Sequence, residues 1–591
     1  MSAGRGSVRP LSAETLEQRH LLSGVTLITH GHTGDTAEGG WIREMGAAMM
    51  QRAADATPAT PAYTEIQLTV GSSDGLTLEV TTAEVLSGST TALDDLTHSG
   101  EIVVYLDWNA AQSLISAADP YNTVFVSAAV VPYLTGEESI TGLDTPLTEQ
   151  PMHLLGHSRG GSLVGVLAED LGSEGVFVDQ VSYFDPHPLE PGDYPVWEST
   201  VPQNVLFADS IWRTDGIFGE IGDFDGAHIA GSYDGELSEE LLGGNEVLTN
   251  VGYFHEHLDV HLWYHGTIPS SETPVPNDGT VDVPLEWYGG TEPERLDSGF
   301  AFSRIAGGER PAEGLLDVDD WSANRAAIDF SNATWPSLFN LANSGGSFEV
   351  GESIPIDFDY HDNDSDGVAS FFLDTDQNPY NTGAIQIGGG TLLTTGGATG
   401  SGTESLNTAA ASAGTYFLSG RMQDAAGRTR YAYAPTAIEL TPNGAPVFAD
   451  ATFIVPENST DGTLVGTLVA TDPDGDALTY SISSNVDPDN DGTAAFRIEG
   501  DQLLVNDIED MDYALASSLV ITASVTDAGL GDTAQVTINL TDLAEGSISG
   551  SKWHDVDGNQ LWDTGELALS GWTIYIDANE NGALDSGEVS T

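Results

Sequence analysis

Gly156-His157-Ser158-Arg159-Gly160 is the stretch on which the reading of this chain turns. Met152-His153-Leu154-Leu155 before it reads as a short buried strand. Residues 161–171 after it read as a helix, with apolar Leu163, Val164, Val166 and Leu167. A serine centred in G-x-S-x-G between strand and helix sits on a sharp, strained turn that lifts its hydroxyl above a sheet. Glycines suit that turn because the helix passes close behind the strand. The backbone N–H of Arg159 then faces a developing oxyanion. Ser158 is therefore the candidate nucleophile, and the expected fold is α/β, a mostly parallel sheet flanked by helices.

Working outward, Val25-Thr26-Leu27-Ile28-Thr29 is a buried strand by length and β-branched content, and it runs into His30-Gly31-His32-Thr33-Gly34. Residues 41–54 are helical in pattern, and 101–106 form an apolar strand ending in Asp107-Trp108. Val181-Ser182-Tyr183-Phe184 delivers Asp185-Pro186, and Asn204-Val205-Leu206-Phe207-Ala208 delivers Asp209. Four histidines follow, His255, His257, His261 and His265, with Trp263-Tyr264 and Thr267-Ile268 among and after them. In this order, over about 240 residues, the motifs resemble the lipase branch of the α/β-hydrolases, including the pancreatic type.

That resemblance implies a Ser-His-Asp triad. Spacing to Trp263-Tyr264 selects His257 as the base, and the backbone N–H of His32 becomes the second oxyanion donor beside that of Arg159. Asp185 matches the pancreatic-type position of the acid, whereas Asp209 stands where most α/β-hydrolases carry theirs, so both stay open. His257, His261 and His265 are four apart and share a helix face, a spacing that zinc also accepts. The triad needs one imidazole only, which leaves His261 and His265 as partly exposed helix residues. Two departures stand out: the chain begins almost at the His-Gly strand, and no cysteine holds a lid. Residues 213–251, rich in Gly, Asp and Glu, read as a substrate-gating lid or an ordinary surface insertion.

A length of 591 residues exceeds one core. The formal charge is −75, from 91 acidic against 16 basic residues, with Lys552 the only lysine. Such a chain repels nucleic acid and anionic membranes. With 40% hydrophobic residues it still folds, so the acid coats domains or binds cations. The absence of cysteine excludes disulfides and thiol catalysis, and no apolar run is long enough for a transmembrane helix. Leu16-Glu17-Gln18-Arg19-His20-Leu21-Leu22-Ser23 resembles the leader of large surface proteins of planctomycete bacteria, which implies a leader over 1–24 and a secreted or cell-surface protein.

Beyond a hydrolase-like domain over 25–310, short alternating strands separated by Gly, Asn and Asp predict a β-sandwich over 325–440. Its acidic clusters at 362–367 and 374–376 suit either calcium or solvated turns. Residues 445–545 carry Asn443-Gly444-Ala445-Pro446 at their start, then Pro456-Glu457-Asn458, Asp472-Pro473-Asp474-Gly475-Asp476 and Thr526-Asp527, and resemble a bacterial cadherin-like domain. The resemblance implies calcium at Glu457, Asp472, Asp474 and Asp527; Asp512-Tyr513-Ala514 lacks the family's second carboxylate. Residues 547–591 resemble the B repeats of staphylococcal-type adhesins, and the repeat ends so soon after its second loop that it reads as incomplete. Two twelve-residue acidic loops lie there, Asp555, Asp557, Asn559, Asp563 and Glu566, then Asp577, Asn579, Asn581, Asp585 and Glu588. The second fits the EF-hand loop pattern, with Gly582 at the turn.

The expectation is a secreted or surface-attached serine carboxylic-ester hydrolase with structural calcium in its C-terminal modules and no catalytic metal. Its partners are an ester substrate, lipid among the candidates, and surface or matrix molecules met by the β modules. The alternative is a calcium-dependent adhesion protein whose hydrolase-like domain is inert.

Overall fold

The computed structural model describes residues 24–31, 40–56, 62–73, 77–88, 98–109, 122–186, 200–214, 226, 228–238, 253–268, 298–303, 310, 325–376, 378–380, 383–393, 399–527, 529–543, 546, 549–586 and 588–590. Side chains at 53–56, 62, 98–99, 214, 234, 238, 253–259 and 392 lie outside that description. The chain divides into two compact units, residues 1–443 and 444–591.

In the first unit, eight strands form one mixed sheet: β1 Val25–Thr29, β2 Ala62–Gly71, β3 Glu79–Ser87, β4 His98–Asp107, β5 Met152–His157, β6 Val178–Phe184, β7 Val205–Thr214 and β8 Tyr233–Ser238. Their order is β3-β2-β4-β1-β5-β6-β7-β8. The β2–β3 pair is antiparallel and the other neighbours run parallel. Helices α1 Trp41–Ala56, α2 Thr123–Leu134, α3 Arg159–Ser173 and α4 Tyr253–Gly266 accompany it. Strand alternation sends Val25, Leu27, Ile102 and Val104 to a core shared with Val126 and Val130 of α2 and Leu163 and Leu167 of α3. Ile28, Val103 and Tyr105 point the other way, to a core shared with Met45 and Met49 of α1 and Val260 and Tyr264 of α4. Both faces are therefore covered, as parallel strands buried on both sides require. A buried ion pair, Arg52 Nη2 to Glu101 Oε1 at 2.7 Å, ties α1 to β4.

The sequence reading missed β2, β3, α2 and β8. Strands β2 and β3 extend the sheet beyond β4 at the edge, so that side is built by residues following β1. Strand β8 occupies part of the segment expected as a lid or insertion; residues 215–225, 227 and 239–250 of that segment lie outside the described residues.

The expected sandwich belongs to the same unit. Its strands are β9 Ser337–Asn343, β10 Gly346–Glu349, β11 Ser353–His361, β12 Gly367–Asp374, β13 Ile385–Leu393, β14 Gly400–Asn407, β15 Gly414–Gln423, β16 Thr429–Tyr433 and β17 Ile438–Thr441. They form sheets ordered β10-β17-β15-β12-β13, with β16 on β15, and β14-β11-β9. Arg430 of β16 is buried against the larger sheet's domain and donates to the carbonyls of Thr148, Gln150 (2.8 Å) and Phe177 (2.6 Å). Phe177 also stacks on Phe339 at 4.2 Å. Asp362 and Asp374 of the two acidic clusters are buried, which corrects the solvated-turn reading for those two carboxylates.

The second unit holds β18 Val447–Phe448, β19 Ala451–Pro456, β20 Leu464–Thr467, β21 Ala470–Thr471, β22 Thr479–Ser484, β23 Phe496–Glu499, β24 Gln502–Val505, β25 Ser518–Thr526 and β26 Gly531–Thr541. A four-stranded sheet β19-β26-β25-β22 and a three-stranded sheet β20-β24-β23 enclose one core around Phe496, Leu503, Ile521 and Val536. The described residues of 549–590 carry no long strand, and they pair through the bridges Trp553↔Ala568 and Tyr575↔Ser590.

Candidate functional site

Strand order reverses at β1, which lies between β4 and β5. In an open parallel sheet such a reversal leaves a crevice at the carboxyl ends of the strands, where ligands bind. Gly31, Trp108, Ser158 and Asp185 all follow the C-terminal ends of β1, β4, β5 and β6 at that edge.

Ser158 joins β5 to α3 with φ 57° and ψ −126°. A non-glycine residue takes that conformation only where its surroundings enforce it, at about 1–3 kcal/mol. The surroundings here are backbone packed on backbone. A Cβ at Gly156 would lie 2.1 Å from the Gly160 carbonyl oxygen, and one at Gly160 would lie 2.5 Å from that of His30. The Ser158 N–H donates to the Phe184 carbonyl at 2.8 Å, pinning the turn to β6. At Gly31, a Cβ would meet the Ser158 Cβ at 2.6 Å and its Oγ at 3.0 Å, so the loop after β1 passes directly against the serine.

That loop is held by a small network. The Trp108 amide donates to His30 Nε2 at 3.3 Å and its indole N–H donates to the His30 carbonyl at 3.1 Å. His30 Nδ1 lies 2.6 Å from the Gly31 carbonyl, and Nε2 also lies 3.3 Å from the Asp107 carboxylate. His32, the expected second oxyanion donor, lies outside the described residues. Arg159 begins α3, and its buried guanidinium lies 5.1 Å from the Trp108 ring centre.

The two candidate acids have different settings. Asp185 is fully buried directly after β6, with φ 43°. Its carboxylate accepts from the Arg213 Nε at 2.9 Å and from the Arg213 amide at 3.2 Å. Asp209 does not end its strand as the sequence reading had it: β7 continues to Thr214, and Asp209 pairs in register with Ser182 inside the sheet. Its Oδ1 accepts from Ser182 Oγ at 2.6 Å and Gln180 Nε2 at 2.9 Å, while Oδ2 is buried with no hydrogen-bond partner. Burial pushes the Asp209 carboxyl up to about 7, against the pull of those two hydrogen bonds.

The expected base, His257, sits on α4, one turn before His261; its side chain lies outside the described ones. His261 and His265 are buried, which corrects the partly exposed placement. His261 stacks on Trp41 at 4.3 Å and meets the His157 ring edge-on at 5.1 Å, so it packs against the residue that precedes Ser158. Burial lowers the His265 imidazole to about 4 and keeps it neutral. Among the described residues no histidine joins a cluster with metal-ligand spacing.

The second unit gathers carboxylates of another kind. Glu457 Oε2 accepts from the Tyr513 amide at 3.0 Å and Oε1 from the Leu543 amide at 2.5 Å. Asp472 Oδ1 accepts from the amides of Asp474, Gly475 and Asp476, and Asp474 Oδ2 accepts from Gly444 at 2.6 Å. Asp527 Oδ1 accepts from Gly529 and Leu530, while one oxygen each of Asp472 and Asp527 is buried without a partner. Further along, the two acidic loops repeat one pattern at a spacing of 22 residues. Glu566 accepts from the amides of Val556 and Asp563, and Glu588 from those of Ala578 and Asp585. Asn559 bonds Asp563, while Asn579 and Asn581 both bond Asp585. Asp555 and Asp577 each receive amides from the loop that follows. Asp555, Asp557 and Glu566 bring one oxygen each within 4.8 Å of one another, the oxygen-only donor set that calcium prefers.

Comparison with known families reaches this second unit. Residues 451–541 match the cadherin domain model. The match bears out the cadherin-like reading of the module, and cadherin domains are extracellular calcium-binding modules, in keeping with the carboxylates just described. Among solved structures, chicken VE-cadherin EC1-2 is 24% identical over 23% of this chain and 73% of its own, with a TM-score of 0.15. The human desmocollin-1 ectodomain is 21% identical over 36% and 43%, with a TM-score of 0.16. Protocadherin gamma B2 extracellular domains 1–5 are 15% identical over 38% and 43%, with a TM-score of 0.17. The chain thus spans less than half the length of the latter two, and superpositions this poor carry no argument of their own. No curated protein matches the chain. No helix among the described residues is long and apolar enough to cross a membrane.

Proposed function

We propose that the first unit is a serine hydrolase acting on carboxylic esters, carried on calcium-binding, cadherin-like β modules of a secreted or surface protein. The observation that carries this reading is the backbone of Ser158, at φ 57° and ψ −126° between β5 and α3 at the point where strand order reverses. Packing alone does not call for a strained serine there; a nucleophile held above the sheet does. In the proposed reaction Ser158 Oγ attacks the ester carbonyl while His257 takes its proton. The Arg159 and His32 amides hold the oxyanion. His257 then protonates the departing alcohol, and water repeats the sequence to release the acid.

Asp185 is the better acid. It leaves β6 beside the carbonyl that receives the Ser158 amide, whereas Asp209 is enclosed among Ser182 and Gln180 further down the sheet. Asp185→Asn is expected to lower turnover of a short-chain aryl ester by orders of magnitude, and Asp209→Asn to change it by less than tenfold. The reverse ranking would transfer the role to Asp209.

One observation favours a second reading, in which the domain is inert and the chain acts in calcium-dependent adhesion. The Asp185 carboxylate already faces the Arg213 guanidinium at 2.9 Å, which spends part of the charge that would steady an imidazolium. A folded sample that turns over no aryl ester, short- or long-chain, would support that reading.

A further inference from the structure

Between β22 and β23 the chain runs Asp487-Pro488-Asp489-Asn490-Asp491-Gly492, a segment the sequence reading passed over. One carboxylate oxygen from each of Asp487, Asp489 and Asp491 lies within 4.8 Å of the others. The spacing reproduces the first, third and fifth ligands and the sixth-position glycine of an EF-hand loop. Gly492 has φ 99° and Asn490 φ 61°, and the loop curls so that Asp487 Oδ2 accepts from the Gly492 amide at 3.0 Å. The twelfth position is Ile498, so the loop brings no terminal glutamate of its own.

A carboxylate arrives instead from another segment. Asp510, from the stretch after β24, is 0% exposed and its Oδ1 accepts from the Asp489 amide at 3.1 Å. That bond seats the Asp510 carboxylate against the loop. Its second oxygen is buried with no hydrogen-bond partner, and so is Asp487 Oδ1. Burying a carboxylate oxygen without a partner is unfavourable unless a cation or proton compensates. None of the ion pairs among the described residues involves these aspartates, and Arg497 on the neighbouring β23 is engaged by Asp461 and Glu499. Three clustered carboxylates, with a fourth bonded to the same loop and unpartnered buried oxygens on Asp487 and Asp510, call for a hard cation with oxygen ligands.

We infer that Asp487, Asp489, Asp491 and Asp510 form a calcium site inside the cadherin-like module, in which Asp510 takes the place of the loop's missing glutamate. The ligand set shares no residue with Glu457, Asp472, Asp474 and Asp527 or with the loops at 555–588. An oxygen-only set rich in carboxylates favours calcium over zinc, which seeks nitrogen or sulfur, and over magnesium, which retains its waters. Asp510 joins this loop to the segment leading into β25, so the cation would fasten the β22–β23 connection to the β24–β25 connection.

Hydrogen exchange on the full chain tests the site locally, with calcium chloride at millimolar concentration against a chelator. Peptides covering 486–494 are expected to exchange more slowly with calcium, and magnesium at equal concentration to protect them far less. Asp489→Asn with Asp491→Asn, both on the exposed face of the loop, is expected to abolish that protection while 555–566 and 577–588 still respond. Asp510→Asn keeps the acceptor for the Asp489 amide and is expected to raise the calcium needed for half-protection at least tenfold. Exchange of β22 and β25 in chelator, unchanged from the parent chain, establishes that each variant is folded. Calcium-independent exchange at 486–494 in the parent chain, or full protection in the double variant, would overturn the site whatever the later loops do.

Discussion

Ser158 and Asp209 are two residues of the first unit at which the fold gives up stability, and they do so for different reasons. At Ser158 the cost is conformational and sits where a nucleophile would be displayed. At Asp209 the cost is burial, with one carboxylate oxygen left unpartnered. The Asp209 carboxyl rises from 3.8 to about 7 in the folded chain, so the native state holds a proton that the unfolded chain has released. Its contribution to stability is fully present below about pH 4 and is lost as pH rises towards 7. Between pH 5 and pH 8 that loss is on the order of 3 kcal/mol. Asp209→Asn removes the titration, so denaturant unfolding of the variant is expected to show a correspondingly flatter pH dependence. Parallel pH profiles for parent and variant would show that Asp209 is ionised in the fold.

At the scale of elements, the strand–turn–helix around Ser158 holds together because β5 and α3 meet without side chains between them. Gly160→Ala would drive a Cβ to 2.5 Å from the His30 carbonyl oxygen and 3.1 Å from that of Thr29, both backbone atoms. The expected cost is about 2–3 kcal/mol by denaturant unfolding; a loss below about 0.5 kcal/mol would contradict so close a crossing. This motif was legible in the sequence because its glycines, buried strand and amphipathic helix all point to one geometry. The edge strands were not. Strand β3, EVTTAEVLS, mixes polar and apolar residues at exposed and half-buried positions of an edge, where turn residues rather than hydrophobicity mark the limits. Helix α2, TVFVSAAVVPYL, has apolar residues on every side and Pro132 within, so no periodicity sets it apart from a strand. The extent of β7 was hidden by Asp209 and Arg213, polar residues that read as a strand end but are buried through partners on distant segments.

Across the whole molecule, 91 acidic residues against 16 basic ones set the terms. The sequence showed the acid and the loops; it could not show that Asp510 would meet the loop at 487–492, since that contact exists only once two strand connections are folded together. Self-repulsion on this scale weakens the compact state, and cations bound at defined loops offset it. In scanning calorimetry of the full chain, the transition of residues 444–591 is expected to rise with calcium, by roughly 3 kcal/mol of added stability at a hundredfold excess over the dissociation constant. The transition of the first unit is expected to move much less. Equal responses, or none, would leave the repeated loops at 555–566 and 577–588 as acidic turns only.

The central claim concerns Ser158, and covalent labelling tests it most directly. Full-length protein treated with an active-site organophosphonate is expected to gain one adduct per chain, mapped by mass spectrometry to the peptide containing Ser158. Ser158→Ala is expected to gain none while melting as the parent does. A folded parent chain that takes no label, or a Ser158→Ala chain still labelled stoichiometrically, would contradict the account.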